Sequence, residues 1–301
     1  MSHSVEPLRE QESTYIVQDR ENREEMIRLE TVDKMMTAVM GGVLEEVDDP
    51  TLLCRVLDVG CGTGGWLMET AKAYPTIKKL VGADISCTMV KYARKEAKTL
   101  ALDERVEFRT MDALRILDFP EASFDLVNQR AGLSWLRTWE WRKVLLEYQR
   151  VARSGGIVRI TEGNVCVESN SPALTALWDI CLEALYHSGR LFTKSGDGVT
   201  GKLVSLMAQH GIQDVKYRVY TPVYQAGTFE HQCFYEDMRH MFRVFLPFFQ
   251  KWMNVPSNYE EIYQQALKEM RDADFVATGT LLTAWGTRPS DDRLMRMGGL
   301  R

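Results

Sequence analysis

Leu57-Asp58-Val59-Gly60-Cys61-Gly62-Thr63-Gly64-Gly65 joins a short apolar run to a turn built almost entirely of small residues. The run, Arg55-Val56-Leu57-Asp58-Val59, stops at glycines as a strand buried on both faces does. Trp66 to Tyr74 then reads as a helix ended by Pro75. Gly60, Gly62 and Gly65 satisfy the spacing G-x-G-x-x-G. Such a turn lets backbone approach a ligand closely at the carboxyl edge of a sheet.

Downstream, Lys79 to Asp84 reads as a second strand and Thr88 to Leu100 as a second helix. Val106 to Arg109 and Phe124 to Val127 are further strands, Trp139 to Val151 a helix, and Ile157 to Thr161 a fifth strand. This alternation requires right-handed crossovers, so the fold class is α/β, an open parallel sheet covered on both faces. Upstream, Met26, Ile27, Leu29, Val32, Met35, Met36, Val39 and Met40 recur at helical spacing until Gly41-Gly42. After residue 162 the alternation stops. Helices are expected over Leu174 to Tyr186, Gly201 to Gln209, Phe229 to Met253 with a break at Pro247, and Tyr259 to Met270. Val215 to Tyr224 and Phe275 to Gly286 read as antiparallel edge strands. The expected organisation is a helical leader or lid over 1–50 and a ligand-binding core over 51–165. A helical cap with an edge strand follows over 166–272, lining an acceptor pocket, and 273–301 forms a final edge strand and a flexible tail.

The chain has 301 residues, of which 45% are hydrophobic and 26% charged, which fits a packed globular protein. Its formal net charge of −5 argues against a surface made to grip phosphate backbones, so no nucleic-acid partner is expected. Cys54, Cys61, Cys87, Cys166, Cys181 and Cys233 are scattered, without metal-ligand spacing, so reduced thiols and no metal site are expected. The charged stretch Glu6 to Glu25 contains no apolar signal region, and no apolar run reaches the ~18 residues of a membrane span. The expectation is a cytoplasmic protein with no membrane partner.

The acids around the glycine turn point to its ligand. Asp58, two residues before the first glycine, sits poorly beside a pyrophosphate but suits ammonium and sulfonium charges. S-adenosyl-L-methionine (SAM) carries both and no phosphate. Asp84 ends the second strand, where a carboxylate can accept both ribose hydroxyls. Met111-Asp112-Ala113 follows the third strand, where an acid can meet an adenine amino group. Asn128-Gln129-Arg130 follows the fourth and faces the methyl donor.

The order LDVGCGTGGW, GADIS, MDALRILDFPEASFDLV resembles class I SAM-dependent methyltransferases over about 15–162. The resemblance implies a Rossmann-like seven-stranded, mostly parallel sheet with one reversed edge strand and a helical cap. It implies SAM as cofactor, with S-adenosyl-L-homocysteine (SAH) as product. Carried over, Gly60, Cys61 and Gly62 back the methionine part and Asp84 binds the ribose. Ile85 and Met89 flank the adenine, Asp112 and Ala113 hold it, and Gln129 offers backbone near the amino-acid moiety. Tyr15-Ile16-Val17 and Glu25-Met26-Ile27-Arg28-Leu29 resemble the leader of a bacterial small-molecule subgroup. There, Tyr15 and Arg28 are expected to close over SAM and meet its carboxylate.

Methyl transfer rests largely on positioning, and a general base is needed only where the acceptor must lose a proton early. Glu162 and His231 are the candidates for one, with His187 and His240 beside them. The cap, rich in Trp, Phe, Tyr and Met, implies a hydrophobic or aromatic small-molecule acceptor, a secondary metabolite methylated at C, O or N. Two alternatives share the glycine turn. One is an NAD(P)-dependent oxidoreductase, against which stand Asp58 and the lack of Tyr-x-x-x-Lys at Tyr92 (followed by Glu96) and Tyr148 (followed by Ala152). The other is a non-catalytic SAM-binding subunit. The leader helix also leaves a homo-oligomer open.

Overall fold

The computed structural model describes residues 15–17 and 23–290. Helix α1 (Arg23–Val39) precedes β1 (Arg55–Val59), α2 (Gly65–Ala73), β2 (Lys79–Asp84), α3 (Cys87–Thr99), β3 (Val106–Thr110), β4 (Phe124–Arg130), α4 (Trp141–Val151) and β5 (Ala152–Gly163). There follow β6 (Glu168–Ser169), α5 (Pro172–His187), α6 (Thr200–Gln209), β7 (Gln213–Tyr220), β8 (Val223–Gln225), α7 (Phe229–Val244) and α8 (Leu246–Trp252). The last elements are α9 (Tyr259–Glu269), β9 (Val276–Thr278) and β10 (Leu281–Thr287). The N-terminal charged stretch before residue 15 and the tail from 291 onward lie outside the described residues.

Seven strands form one sheet in the order β3-β2-β1-β4-β5-β10-β7. The buried strands alternate strictly between the two faces. Val56, Leu80, Phe108 and Leu126 pack under α2 and α3, while Leu57, Val59, Val81 and Val127 join a larger core with α4 and the cap. The helices start where local chemistry satisfies their first amides. Ser86 caps α3, Ser171 with Pro172 starts α5, and Thr228 caps α7. Pro247 likewise falls in the first turn of α8, so the expected break separates α7 from α8.

The structure differs from expectation at the far side of the sheet. The reversed strand is not at the edge: β10 runs antiparallel between β5 and β7, and β7 is the edge strand. Each expected late strand is also two strands. The Val215 to Tyr224 run breaks at Thr221-Pro222, and the Phe275 to Gly286 run breaks at Gly279-Thr280. The breaks face each other, with the Gly279 amide donating to the Pro222 carbonyl at 2.9 Å. Beyond them β8 and β9 leave the main sheet and join β6 in a separate three-stranded sheet, order β6-β9-β8. Proline's missing amide cannot continue a ladder, which explains the split. No helix among the described residues is long and apolar enough to cross a membrane.

Candidate active site

The carboxyl ends of β1, β2, β3 and β4 open into one cavity, roofed by α1. Tyr15, Asp58, Gly60, Cys61, Gly62, Asp84, Ile85, Met89, Asp112 and Ala113 all line it. Helix α1 contributes Glu25, Leu29, Val32, Asp33 and Met36 from one face, and the segment after β4 contributes Arg130, Ala131, Ser134 and Trp135.

The glycine turn follows from its backbone. Gly62 has φ +52, and a side chain there would meet no protein atom within 4 Å, so the turn presents bare backbone to open space. Its amide donates to Asp84 Oδ2 at 2.9 Å, and the Ser86 amide donates to Asp84 Oδ1 at 2.8 Å. Two amides therefore aim the Asp84 carboxylate at the cavity before any ligand arrives. Asp112 is fixed in the same way by the Leu114 amide at 2.9 Å. Met89, Ile85, Met111, Ala113 and Leu114 supply apolar surface to the same cavity.

Asp58 sits deeper and is tied into a polar row across the sheet. Asp58, Asn128 and Arg159 are in register on β1, β4 and β5. Asn128 Nδ2 donates to Asp58 at 2.7 Å, and Arg159 Nη1 donates to Asn128 Oδ1 at 2.7 Å. Burial pushes the Asp58 carboxyl up to about 7, against the Asn128 hydrogen bond and the Arg159 charge. Burial, then the Asp84 and Asp58 charges, push the Cys61 thiol up and hold it protonated.

Arg130 is the one cation among the described residues that line the cavity. It pairs with Asp33 and donates to Thr37 Oγ1 at 3.1 Å, so α1 grips the end of β4. Burial and the nearby Arg159 charge bring its guanidinium down to about 9, a site that favours a second anion. Asp33 Oδ2 is buried without a hydrogen-bond partner and would lie 2.5 Å from a side-chain carbon at Gly65, the first residue of α2. A dinucleotide site keeps that helix N-terminus for pyrophosphate. Here a carboxylate holds it.

Several expected residues fall elsewhere. Arg28 does not line the cavity: it donates to Glu25 at 2.7 and 2.9 Å and to Asp237 of α7 at 2.8 Å. Tyr15 lines the cavity, but its hydroxyl donates to Glu25 at 2.9 Å, so that proton is not available to a cofactor carboxylate. Gln129 is fully buried, accepting from Tyr148 at 2.6 Å and donating to Glu162 at 3.2 Å; its neighbour Arg130 faces the cavity instead. Glu162 is no base for an acceptor. It does not line the cavity, and its oxygens accept from the Gly132 amide at 2.6 Å and the Leu133 amide at 3.2 Å. Burial raises its carboxyl to about 7, opposed by those amides. A side chain at Gly132 would collide with Gln129 and Glu162, so Glu162 shapes the turn that carries Ser134 and Trp135. His231 is bound in the cap, with Nε2 at 2.7 Å from the Met270 carbonyl, and His187 and His240 also lie off the cavity.

The cap is likewise not the wall of this cavity. No residue of 166–272 lines it; Trp178, Phe234, Phe242 and Phe249 are buried in the main core. Sequence reasoning placed Arg130 beside the methyl donor but missed Glu25, Asp33, Leu29, Val32 and Met36 as wall residues. For the α1 residues the signal was present, since 25, 29, 32, 33 and 36 share one helical face.

Open turn backbone, the carboxylates of Asp84, Asp112 and Asp58 and one guanidinium, all on one cavity, are groups that could hold a nucleoside carrying an amino-acid zwitterion. Fold and site define the class I SAM-dependent methyltransferases. Residues 56–156 match the family model described as a methyltransferase domain, and the chain carries such a domain, with SAM as its cofactor. Demethylmenaquinone methyltransferase of Lactococcus lactis subsp. lactis is 31% identical over 145 residues, 46% of this chain and 53% of that protein. Its counterpart in Lysinibacillus sphaericus is 28% identical over 183 residues, 56% of this chain and 73% of that protein. The chain thus spans about half the length of the Lactococcus relative. Haemonchus contortus phosphoethanolamine N-methyltransferase 2, solved with phosphomonomethylethanolamine and SAH, shares the fold at TM-score 0.52 and 19% identity. That likeness covers 84% of this chain and 53% of that one.

Asp58 gives the site a pH dependence with two opposite signs. Its folded-state pKa, about 7, exceeds the unfolded value of 3.8, so its contribution to stability is present below the unfolded value and lost as pH rises through 7. A cofactor ammonium favours the ionised carboxylate, so SAH affinity is expected to rise as pH approaches 7 and then level, with proton release on binding. Calorimetry in buffers of different ionisation heat reads that proton directly. Asp58→Asn should abolish the release, and wild-type release equal to that of the variant would remove Asp58 from the site.

Proposed function

We propose that this protein transfers the methyl group of SAM to a hydrophobic or aromatic small molecule, a secondary metabolite, in the cytoplasm. The observation that carries this reading is the order of side chains along the cavity. Asp112, Asp84, Asp58 and Arg130 follow the strand order β3-β2-β1-β4, matching adenine, ribose, ammonium and carboxylate. Leu29, Val32 and Met36 of α1 and Trp135 then leave apolar surface for an acceptor. When bound, SAM supplies an electrophilic methyl group on a sulfonium. The protein's own contribution is orientation and exclusion of water: Asp84 and Asp112 hold the nucleoside, Gly60 and Gly62 present backbone, and α1 covers the reacting atoms. The curated relatives, named for a quinone precursor, support an apolar ring as acceptor.

Incubation with methyl-labelled SAM and a panel of apolar ring compounds tests the reading. Label should pass to one or more of them in a reaction that SAH inhibits. SAH binding without transfer to any acceptor would favour a non-catalytic SAM-binding subunit. Binding of NAD in place of SAH would overturn the reading altogether.

A further inference from the structure

Arg130 is the cation assigned above to the cofactor's carboxylate, yet a carboxylate of the chain already holds it. Asp33 of α1 pairs with Arg130 Nη2, and Thr37, one turn further along α1, accepts from Nη1 at 3.1 Å. Helix α1 thus engages both terminal nitrogens of the one cation among the described residues that line the cavity. The Asp33 side chain is 20% exposed and lines the cavity itself. Its other oxygen, Oδ2, lies against the first residue of α2, 2.5 Å from where a side-chain carbon at Gly65 would stand, and accepts no hydrogen bond from the described residues. The N-cap residue of that helix, Gly64, supplies no side chain either. One internal carboxylate therefore covers both a guanidinium and the positive end of a helix, with half of its bonding capacity unmet. Burial and Arg159 both oppose the Arg130 charge, so the guanidinium requires an anion with or without a cofactor.

From this geometry we infer that Asp33 is an internal stand-in for the cofactor's carboxylate: the amino-acid moiety gains Arg130 by displacing Asp33, so α1 competes with the ligand that it roofs. The inference rests on the methyltransferase reading and adds how its cofactor reaches the cation. A carboxylate seats best as a fork on two guanidinium nitrogens, and both terminal ones are engaged by α1. Asp33 is the partner that yields, because Oδ2 has no bond to lose and the side chain is already partly exposed. No covalent change is involved; one ion pair replaces another. SAH carries the same carboxylate as SAM, so the reverse exchange returns Asp33 to Arg130 as the product leaves.

The test is a calorimetric comparison of two ligands that differ in the carboxylate arm. Methylthioadenosine has the nucleoside and thioether without the amino acid, whereas the desamino analogue of SAH keeps the carboxylate and lacks the ammonium. Wild type should bind the two within about fivefold of each other, because the analogue trades one ion pair for another. A carboxylate that simply added to an open Arg130 would gain roughly tenfold to a hundredfold. Asp33→Asn, which keeps the size of the side chain, should bind the desamino analogue at least about tenfold more tightly than wild type does, with methylthioadenosine unchanged within about twofold. Adding Arg130→Met should erase that gain, which a merely loosened roof would not. A wild type that strongly prefers the analogue would overturn the inference, as would an Asp33→Asn protein that binds it no better, or one that gains equally for both ligands. The wild-type comparison needs no variant and decides the matter even if Asp33→Asn does not fold. A wild type that binds neither ligand nor SAH removes the methyltransferase reading itself, which keeps the two failures apart.

Discussion

Asp84→Ala is expected to weaken SAH binding about a hundredfold. A ribose offers two hydroxyls to this carboxylate, and hydrogen bonds to a charged group contribute about 1.5–3 kcal/mol each, so a loss near 3 kcal/mol follows. The Gly62 and Ser86 amides, at 2.9 and 2.8 Å, now orient the carboxylate; after its removal they face the cavity, where water satisfies them at little cost to the fold. The variant should therefore keep its melting temperature. The same factor should appear with adenosine in place of SAH, because the lost contacts are to the sugar. Asp112→Ala should cost much less, since it removes one hydrogen bond to an amino group. A loss under about threefold for Asp84→Ala would put the ribose somewhere else in the cavity.

The largest effect on stability is expected from Arg159→Met. Arg159 is fully buried on β5, donating to Glu46 at 3.1 and 3.2 Å and to Asn128 at 2.7 Å, and Glu46 also accepts from Tyr220 at 2.6 Å. Removing one partner of a buried ion pair typically costs about 3–5 kcal/mol, because the remaining charge has no water to turn to. In a chain of this size that is a fall of about 10 °C in melting temperature. Arg159→Met combined with Glu46→Gln should recover most of it, which a simple loss of packing would not. Burial works to raise the Glu46 carboxyl, yet Arg159 and Tyr220 hold it below its ordinary value. Its contribution is accordingly present above the unfolded pKa and lost as pH falls, so the double variant should lose less stability in acid than wild type. The single variant should also bind SAH more weakly at neutral pH: Asn128 loses its donor and Asp58 loses the charge that helps it ionise. Urea unfolding of the three proteins at two pH values measures all of this, and an Arg159→Met protein as stable as wild type would refute it.

Much of the fold can be read along the chain because its signals are local. A strand that stops at glycines, a helix that starts at Ser86 or Pro172, and an acid at or just past the end of β1, β2 and β3 are set by neighbours in sequence. For that reason Asp58, Asp84 and Asp112 were legible as one site before their strands were brought together. The leader residues were not. Arg28 and Arg130 are equally plausible cations in the sequence, and the choice between them depends on Asp237, 209 residues from Arg28, and on Asp33, 97 residues from Arg130. The aromatic residues of the cap are ambiguous in sequence for a related reason. Aromatic residues at helical spacing state that a face will be buried, not what will bury it. Here Phe242 packs on Trp178 with ring centroids 5.2 Å apart, in core and not in a pocket.

By itself the sequence determined the α/β alternation, the glycine turn and the three strand-end acids, since backbone conformation and side-chain periodicity are properties of short segments. Tertiary structure alone decided that β10 enters between β5 and β7, that the late runs split at Pro222 and Gly279 into two sheets, and that α1 roofs the cavity. It alone also turned Arg28 toward Asp237 and left Arg130 facing the cavity. These depend on which buried surfaces and charges meet across the whole chain, and the partner that neutralises a buried charge is chosen by packing, not by position in sequence.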